Sequence, residues 1–174
     1  MVYDIKIYET NSDNSARFSL GTIGTKPLFV FGLNPSTADN RVPDKTIKKV
    51  MKFALIGGYD SFIMLNLYAQ RTPKPDKIHH IMNCTLHYKN IEKVIRTLQT
   101  VKNPTVLASW GQTIKIRPFL FDCLKDIYEA TITQKIEWIK IGELTTGKHP
   151  RHPSRAPYKF GFTKFDINEY LRND

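Results

Sequence analysis

Four short apolar runs, PLFVFGL, SFIMLNLYA, TVLASW and KIEWIKI, punctuate the chain, with room for a helix between each pair. Short, continuous apolar runs suit strands buried on both faces. Parallel neighbours need a crossover of a dozen or more residues, usually helical. The pattern therefore predicts an α/β fold, a three-layer α/β/α sandwich around a mostly parallel four-stranded central sheet. Ahead of it, VYDIKIY alternates apolar and polar residues, NSDNS makes a turn and RFSL follows, which predicts an N-terminal β-hairpin. No repeat, low-complexity stretch or linker divides the chain, so residues 1–174 read as a single domain.

The intervening segments carry helical patterns. Pro43-Asp44 reads as a helix start, with Ile47, Val50, Met51, Ala54 and Leu55 on one face and Gly57-Gly58 as the stop. A second helix is predicted over about residues 80–101, with Leu86, Val94, Ile95 and Leu98 inward. A third is predicted over 113–130 with Pro118 in its first turns, and DINEYLRN makes a short closing helix.

In open α/β sheets, ligands bind beyond the carboxyl ends of the strands. That rule selects Gly32, Asn34, Pro35, Ser36 and Thr37 after the first run, and Asn66, Gln70 and Arg71 after the second. It selects Ser109, Trp110, Gly111 and Gln112 after the third, and Lys148, His149, Arg151, His152, Ser154 and Arg155 after the fourth. Amides, hydroxyls and imidazoles form the centre, cations surround them, and acids are almost absent. Such a set suits a neutral heteroaromatic group attached to phosphates better than a metal ion.

Charge points the same way. Twenty-six Lys and Arg against sixteen Asp and Glu give +10 and a pI near 9.6. Residues 145–164 alone hold five basic side chains and no acid, an electrostatic footprint suited to nucleic acid or nucleotides. Cys84 and Cys123 have neither metal spacing nor a disulfide framework, which fits a reducing, cytoplasmic setting. MVYDIKIYET lacks a basic region followed by an apolar one, so no signal peptide is expected. No apolar run approaches the roughly 20 residues of a membrane span.

Each motif has two readings. Gly32 through Asp39 is either a strand-to-loop turn or a segment whose Asn34 amide holds a water or sugar. Asn66, in an otherwise apolar strand, either satisfies a neighbouring loop or reads a base edge. Trp110 packs a core or stacks a base. Gly111, Gln112 and Thr113 form a helix entrance that either is simply capped or meets a phosphate. HPRHPSRAP holds His149, His152, Ser154, Arg151 and Arg155 between prolines, as a basic surface loop or as a pre-organised donor loop. His79, His80 and His87 are read as surface residues rather than metal ligands.

FGLNPSTADN, IMLNLYAQR, ASWGQ and KHPRHPSR, in that order, resemble the bacterial and phage family DUF1643, from about Arg17 to Arg155. The same segments resemble, more distantly, the uracil-DNA glycosylase superfamily. GLNPS is similar to the GINPG segment of mismatch-specific glycosylases, which implies that Asn34 positions the attacking water. MLNLYAQRTP is similar to the strand whose Asn reads the pyrimidine edge, which implies that role for Asn66. SWGQTIK is similar to the start of a DNA-facing helix. HPSR is similar to the loop whose His contacts the base O2, which implies such roles for His152 and Ser154. Asn34 stands where another branch of that superfamily has Asp, and two Cys cannot supply the four ligands of an iron–sulfur cluster.

The expectation is a DNA glycosylase that needs no cofactor or metal. Asn34 and His152 are its catalytic residues. Gly32, Pro35, Ser36, Asn66, Trp110, Gly111 and Gln112 hold the base. Lys148, Arg151, Ser154 and Arg155 hold the DNA backbone. The alternatives are a non-catalytic DNA-binding or modified-base sensor on the same fold, and a hydrolase of free nucleotides.

Overall fold

The computed structural model describes residues 1–172. Seven strands form one sheet: β1 (Ile7–Thr10), β2 (Arg17–Gly21), β3 (Pro27–Gly32), β4 (Ser61–Asn66), β5 (Thr105–Ala108), β6 (Glu137–Ile141) and β7 (Phe162–Lys164). Four helices accompany them: α1 (Lys45–Ile56), α2 (Cys84–Leu98), α3 (Phe119–Ala130) and α4 (Ile167–Arg172). The strand order is β1-β2-β4-β3-β5-β6-β7. Neighbours among β4, β3, β5 and β6, the four apolar runs, pair parallel.

The expected four-stranded sheet needs correction, because the sheet is seven-stranded and mixed. The hairpin is part of it: β2 pairs antiparallel with β4 through Leu20↔Met64 and Gly21↔Ile63. At the other edge β7, a three-residue strand with no apolar run to announce it, pairs antiparallel with β6. Both additions satisfy backbone groups that a four-stranded sheet would leave open at its edges.

Strand alternation sorts the core into two layers. Phe29, Phe31, Ile63, Leu65, Val106 and Ala108 point to one face and pack with Val94 and Leu98 of α2, Leu120 and Leu124 of α3, and Tyr170 of α4. Leu28, Val30, Phe62, Met64, Leu107 and Ile141 point to the other and pack with Ile47, Val50, Phe53 and Ala54 of α1. Within α1, Phe53 is buried and Leu55 is half exposed, which shifts the inward face slightly from the expected one. Asp44 caps α1 by accepting from Ile47 N at 2.9 Å, and Gly57 and Gly58 close it.

Two other helix boundaries differ from expectation. The second helix begins at Cys84, because the Asn83 side chain accepts from Leu86 N and caps it there. The third is split: a 3₁₀ turn spans Gln112–Ile116, and Pro118 becomes the N-cap residue of α3. Proline cannot donate a backbone N–H within a continuous helix, so the chain restarts there.

The first crossover, β3 to β4, carries α1 on one face. The second runs back across β3 to β5 and carries α2 on the other. The reversal leaves a crevice beyond the carboxyl ends of β3 and β5, where Gly32 and Ser109 emerge.

Candidate functional site

At that crevice lies a cleft of about 500 Å³, lined by loops from all four parallel strands and by the start of α1. It brings together Gly32, Asn34, Ser36, Trp110, Gly111, Gln112, Arg151, His152, Ser154 and Arg155 from the residues singled out in the sequence. Close backbone approach makes the floor. A Cβ on Gly32 would meet Met64 Cε at 2.5 Å, and Gly111, at φ +70°, would place one 3.1 Å from His152 Cβ.

His152 has the most defined geometry. Its Nδ1 accepts from Ser154 N at 3.3 Å and lies 2.8 Å from Ser154 Oγ. Because the backbone N–H must donate, Nδ1 is the unprotonated nitrogen and Nε2 carries the hydrogen. Burial pushes the imidazole down to about 4, Arg155 adds to that, and Asp44 partly opposes it. His152 is therefore a neutral donor at physiological pH. Ser154, expected to hold a phosphate, lines the cleft, and its backbone N–H sets the tautomer. The loop beyond is held by Lys49 Nζ, which donates to Ala156 O at 2.7 Å and lies 3.7 Å from the centre of the Tyr158 ring.

The depressed histidine has a consequence for stability. Unfolded chains take up the proton below about pH 6.5, whereas folded His152 resists until about 4. Its contribution is present above about 6.5 and is lost as pH falls from there to about 4. The depressed carboxylates of Asp13, Asp39 and Asp60 act separately, losing stability only as pH drops below the ordinary aspartate range. Thermal melts should show a falling Tm across the histidine window in the wild type and a shallower fall in His152→Gln. Parallel curves would remove His152 as the titrating group.

Asn34 is more constrained than expected. Its Nδ2 donates to Pro35 O, Gln70 O and Thr72 O, so the amide nitrogen ties the first loop to the second. Only Oδ1 remains to accept from a water, and Asn34→Ala would loosen two loops as well as remove that acceptor.

Several expected site residues lie outside the cleft or, like Trp110, border it without an exposed side chain. Asn66 is fully buried beneath Gly32 and does not line the cleft. In the orientation its neighbours dictate, its amide donates to Asn34 O and Leu65 O, each at 3.3 Å, so it supports the floor rather than facing a ligand. The indole of Trp110 is fully buried among Trp138, Phe165 and Tyr170, and its Nε1 donates to Tyr170 Oη at 3.2 Å. Pro35 is buried behind the loop, and Lys148, at φ +59°, turns outward in an exposed turn; neither lines the cleft. His149 is buried with Nδ1 2.7 Å from Tyr170 Oη. His87 is not a surface residue: it is 1% exposed on α2, with Nε2 2.9 Å from Asp126 Oδ2 of α3. His79 is half buried against Tyr68 Oη at 2.7 Å, and His80 is exposed.

Two charged cleft residues were not singled out as site residues from the sequence. Asp44, legible only as a helix cap, puts a carboxylate into a site expected to lack acids. Arg17, on β2, is 2% exposed and borders the cleft from the hairpin side. Its place in RFSL offered one signal, a charged residue at an inward strand position, which becomes meaningful only once β2 joins the sheet.

The family model described as "Protein of unknown function (DUF1643)" matches residues 17–154. The chain belongs to the DUF1643 family. The matched span opens on Arg17 and closes on Ser154, both in the cleft, and leaves β7 and α4 outside it. No curated protein and no solved structure matches this DUF1643 chain significantly. Among the described residues, no helix is long and apolar enough to cross a membrane, and no group of three or more His, Cys, Asp or Glu side chains could hold a metal ion.

Proposed function

We propose that the cleft receives a nucleotide flipped out of DNA and hydrolyses its N-glycosidic bond, on a uracil-DNA glycosylase-like version of the α/β fold. The observation that carries the reading is His152, held neutral with its Nε2–H available at a cleft of nucleotide size. Flipping costs a few kcal/mol of unstacking. The C1′–N bond then breaks, its electron pair leaves with the base, and Nε2–H of His152 donates to the negative charge that develops there. Asn34 Oδ1 accepts a hydrogen bond from a water that adds to C1′ of the oxocarbenium-like sugar. Asp44, the only acid among the described residues that line the cleft, takes the proton that water releases. Arg151 and Arg155 border the same cleft and suit the flanking phosphates.

One observation favours a second reading, a hydrolase of free nucleotides. Asn66, the expected base-edge reader, is sealed off, while a buried cation, Arg17, faces the ligand space.

A panel of oligonucleotides carrying uracil, mismatched or modified bases, together with the matching mononucleotides, separates the two. Base release by mass spectrometry from an oligonucleotide is the expected result. Arg155→Ala should weaken DNA binding and make its salt dependence shallower by about one phosphate contact. Turnover of mononucleotides with no DNA binding would replace the first reading by the second. The absence of base release from every oligonucleotide, together with the absence of turnover of every mononucleotide, would end both.

A further inference from the structure

Among the described residues, Arg17 is the most deeply buried charged group of the cleft. Its Nη1 donates to Ala38 O, whereas its Nε is buried with no hydrogen-bond partner. A guanidinium offers five N–H donors, and a buried cation without a counter-ion costs several kcal/mol. Burial draws Arg17 down to about 10, so it is still charged at neutral pH. Arg71 adds a second positive charge close by, and its five hydrogen bonds all go to neutral oxygens: Ser36 O, Thr37 O, Ala38 O, Tyr8 Oη and Asn14 Oδ1. Among the described residues, neither arginine forms an ion pair with a carboxylate. Asp44 attracts Arg17 and Asp39 feels the charge of Arg71, but these two acids stand against Arg17, Arg151 and Arg155 on the cleft and Arg71 behind it.

A second feature converges on the same space. The first turn of α1 contributes Thr46 and Ile47 to the cleft lining. Asp44 Oδ1 caps only Ile47 N, which leaves the Thr46 N–H and hydroxyl at the positive end of a twelve-residue helix.

We infer that Arg17 and the start of α1 form a phosphate subsite inside the cleft, which takes a phosphate group of the nucleotide substrate while the base lies toward His152. This rests on reading the cleft as a nucleotide site, but its test reads binding and not turnover, so the failure of one can be told from the failure of the other. The phosphate comes either from a free nucleotide or from a nucleic-acid strand.

The test uses the full chain at fixed ionic strength, with deoxyuridine, deoxyuridine 5′-monophosphate, inorganic phosphate and a short single-stranded oligonucleotide as probes. The monophosphate should bind at least tenfold more tightly than the nucleoside, and inorganic phosphate should raise Tm more than chloride does. Arg17→Met should abolish both differences and, because it removes an unpaired buried cation, should leave the Tm of the ligand-free protein unchanged or higher. If Arg17→Met does not fold, Arg17→Lys serves: it retains charge but loses the planar donor fork, and should weaken the monophosphate preference several-fold. An oligonucleotide that binds through internal phosphodiesters with the same dependence on Arg17 would identify the strand backbone as the source. Dependence on a phosphomonoester would identify a free nucleotide or a strand end. Equal affinity for nucleoside and monophosphate, or a phosphate preference that survives Arg17→Met, overturns the subsite.

Discussion

His152→Ala is expected to slow base release on the order of 100-fold, equivalent to ~2.7 kcal/mol, the usual loss when one donor to a developing anion is removed. The loss should appear in single-turnover rates, with DNA affinity nearly unchanged, because the donor acts on charge that exists only as the bond breaks. The pH profile adds a readout that a packing role would not produce. Since His152 stays neutral until about 4, the wild-type rate should be level from about pH 8 to about pH 5, with no step near the ordinary histidine value. Ser154→Ala should give an intermediate loss. It removes the hydroxyl 2.8 Å from Nδ1 but keeps the backbone N–H that selects the tautomer. A His152→Ala enzyme as fast as the wild type would remove the imidazole from the chemistry.

Trp110→Ala should destabilise the fold by about 3–5 kcal/mol, as expected for deletion of a large buried aromatic side chain. Trp110 is completely buried; its ring centre lies 5.8 Å from that of Tyr170 and 5.9 Å from that of Phe165. Its loss also removes the indole N–H that donates to Tyr170 Oη, the hydroxyl that contacts His149. Urea denaturation reads the effect, and Trp110→Phe should recover part of it. A base-stacking role makes the opposite forecast: near-wild-type stability with weakened ligand binding. A loss under about 1 kcal/mol would therefore favour stacking.

The cleft shows where reading one residue at a time reaches its limit. His152, Arg151, Ser154 and Arg155 were legible because a proline-held basic loop follows a buried strand, and such loops meet at the carboxyl ends of parallel strands. Asn66 was legible as a buried polar group that needs partners, but not as one satisfied from below by Asn34 O and Leu65 O. Its partner on β3, Gly32, lies 34 residues away in the chain, and register alone brings the two side by side. Asp44 looked like a helix cap and is one; that the cap also borders a ligand space depends on how α1 sits against the loops.

The apolar runs and the helix-length spacing between them determined the α/β class and the parallel core, because local burial periodicity is a property of the chain itself. Asp44 and the paired glycines likewise bounded α1 through hydrogen bonds made within a few residues. Tertiary structure decided the rest. The pairing of β2 with β4 and of β7 with β6 made the sheet seven-stranded, since edge strands take their hydrogen bonds from whichever neighbour the folded core presents. The same β2–β4 pairing carried Arg17 into the wall of a cleft whose other residues reach as far as Arg155, and no local pattern encodes a contact of that range.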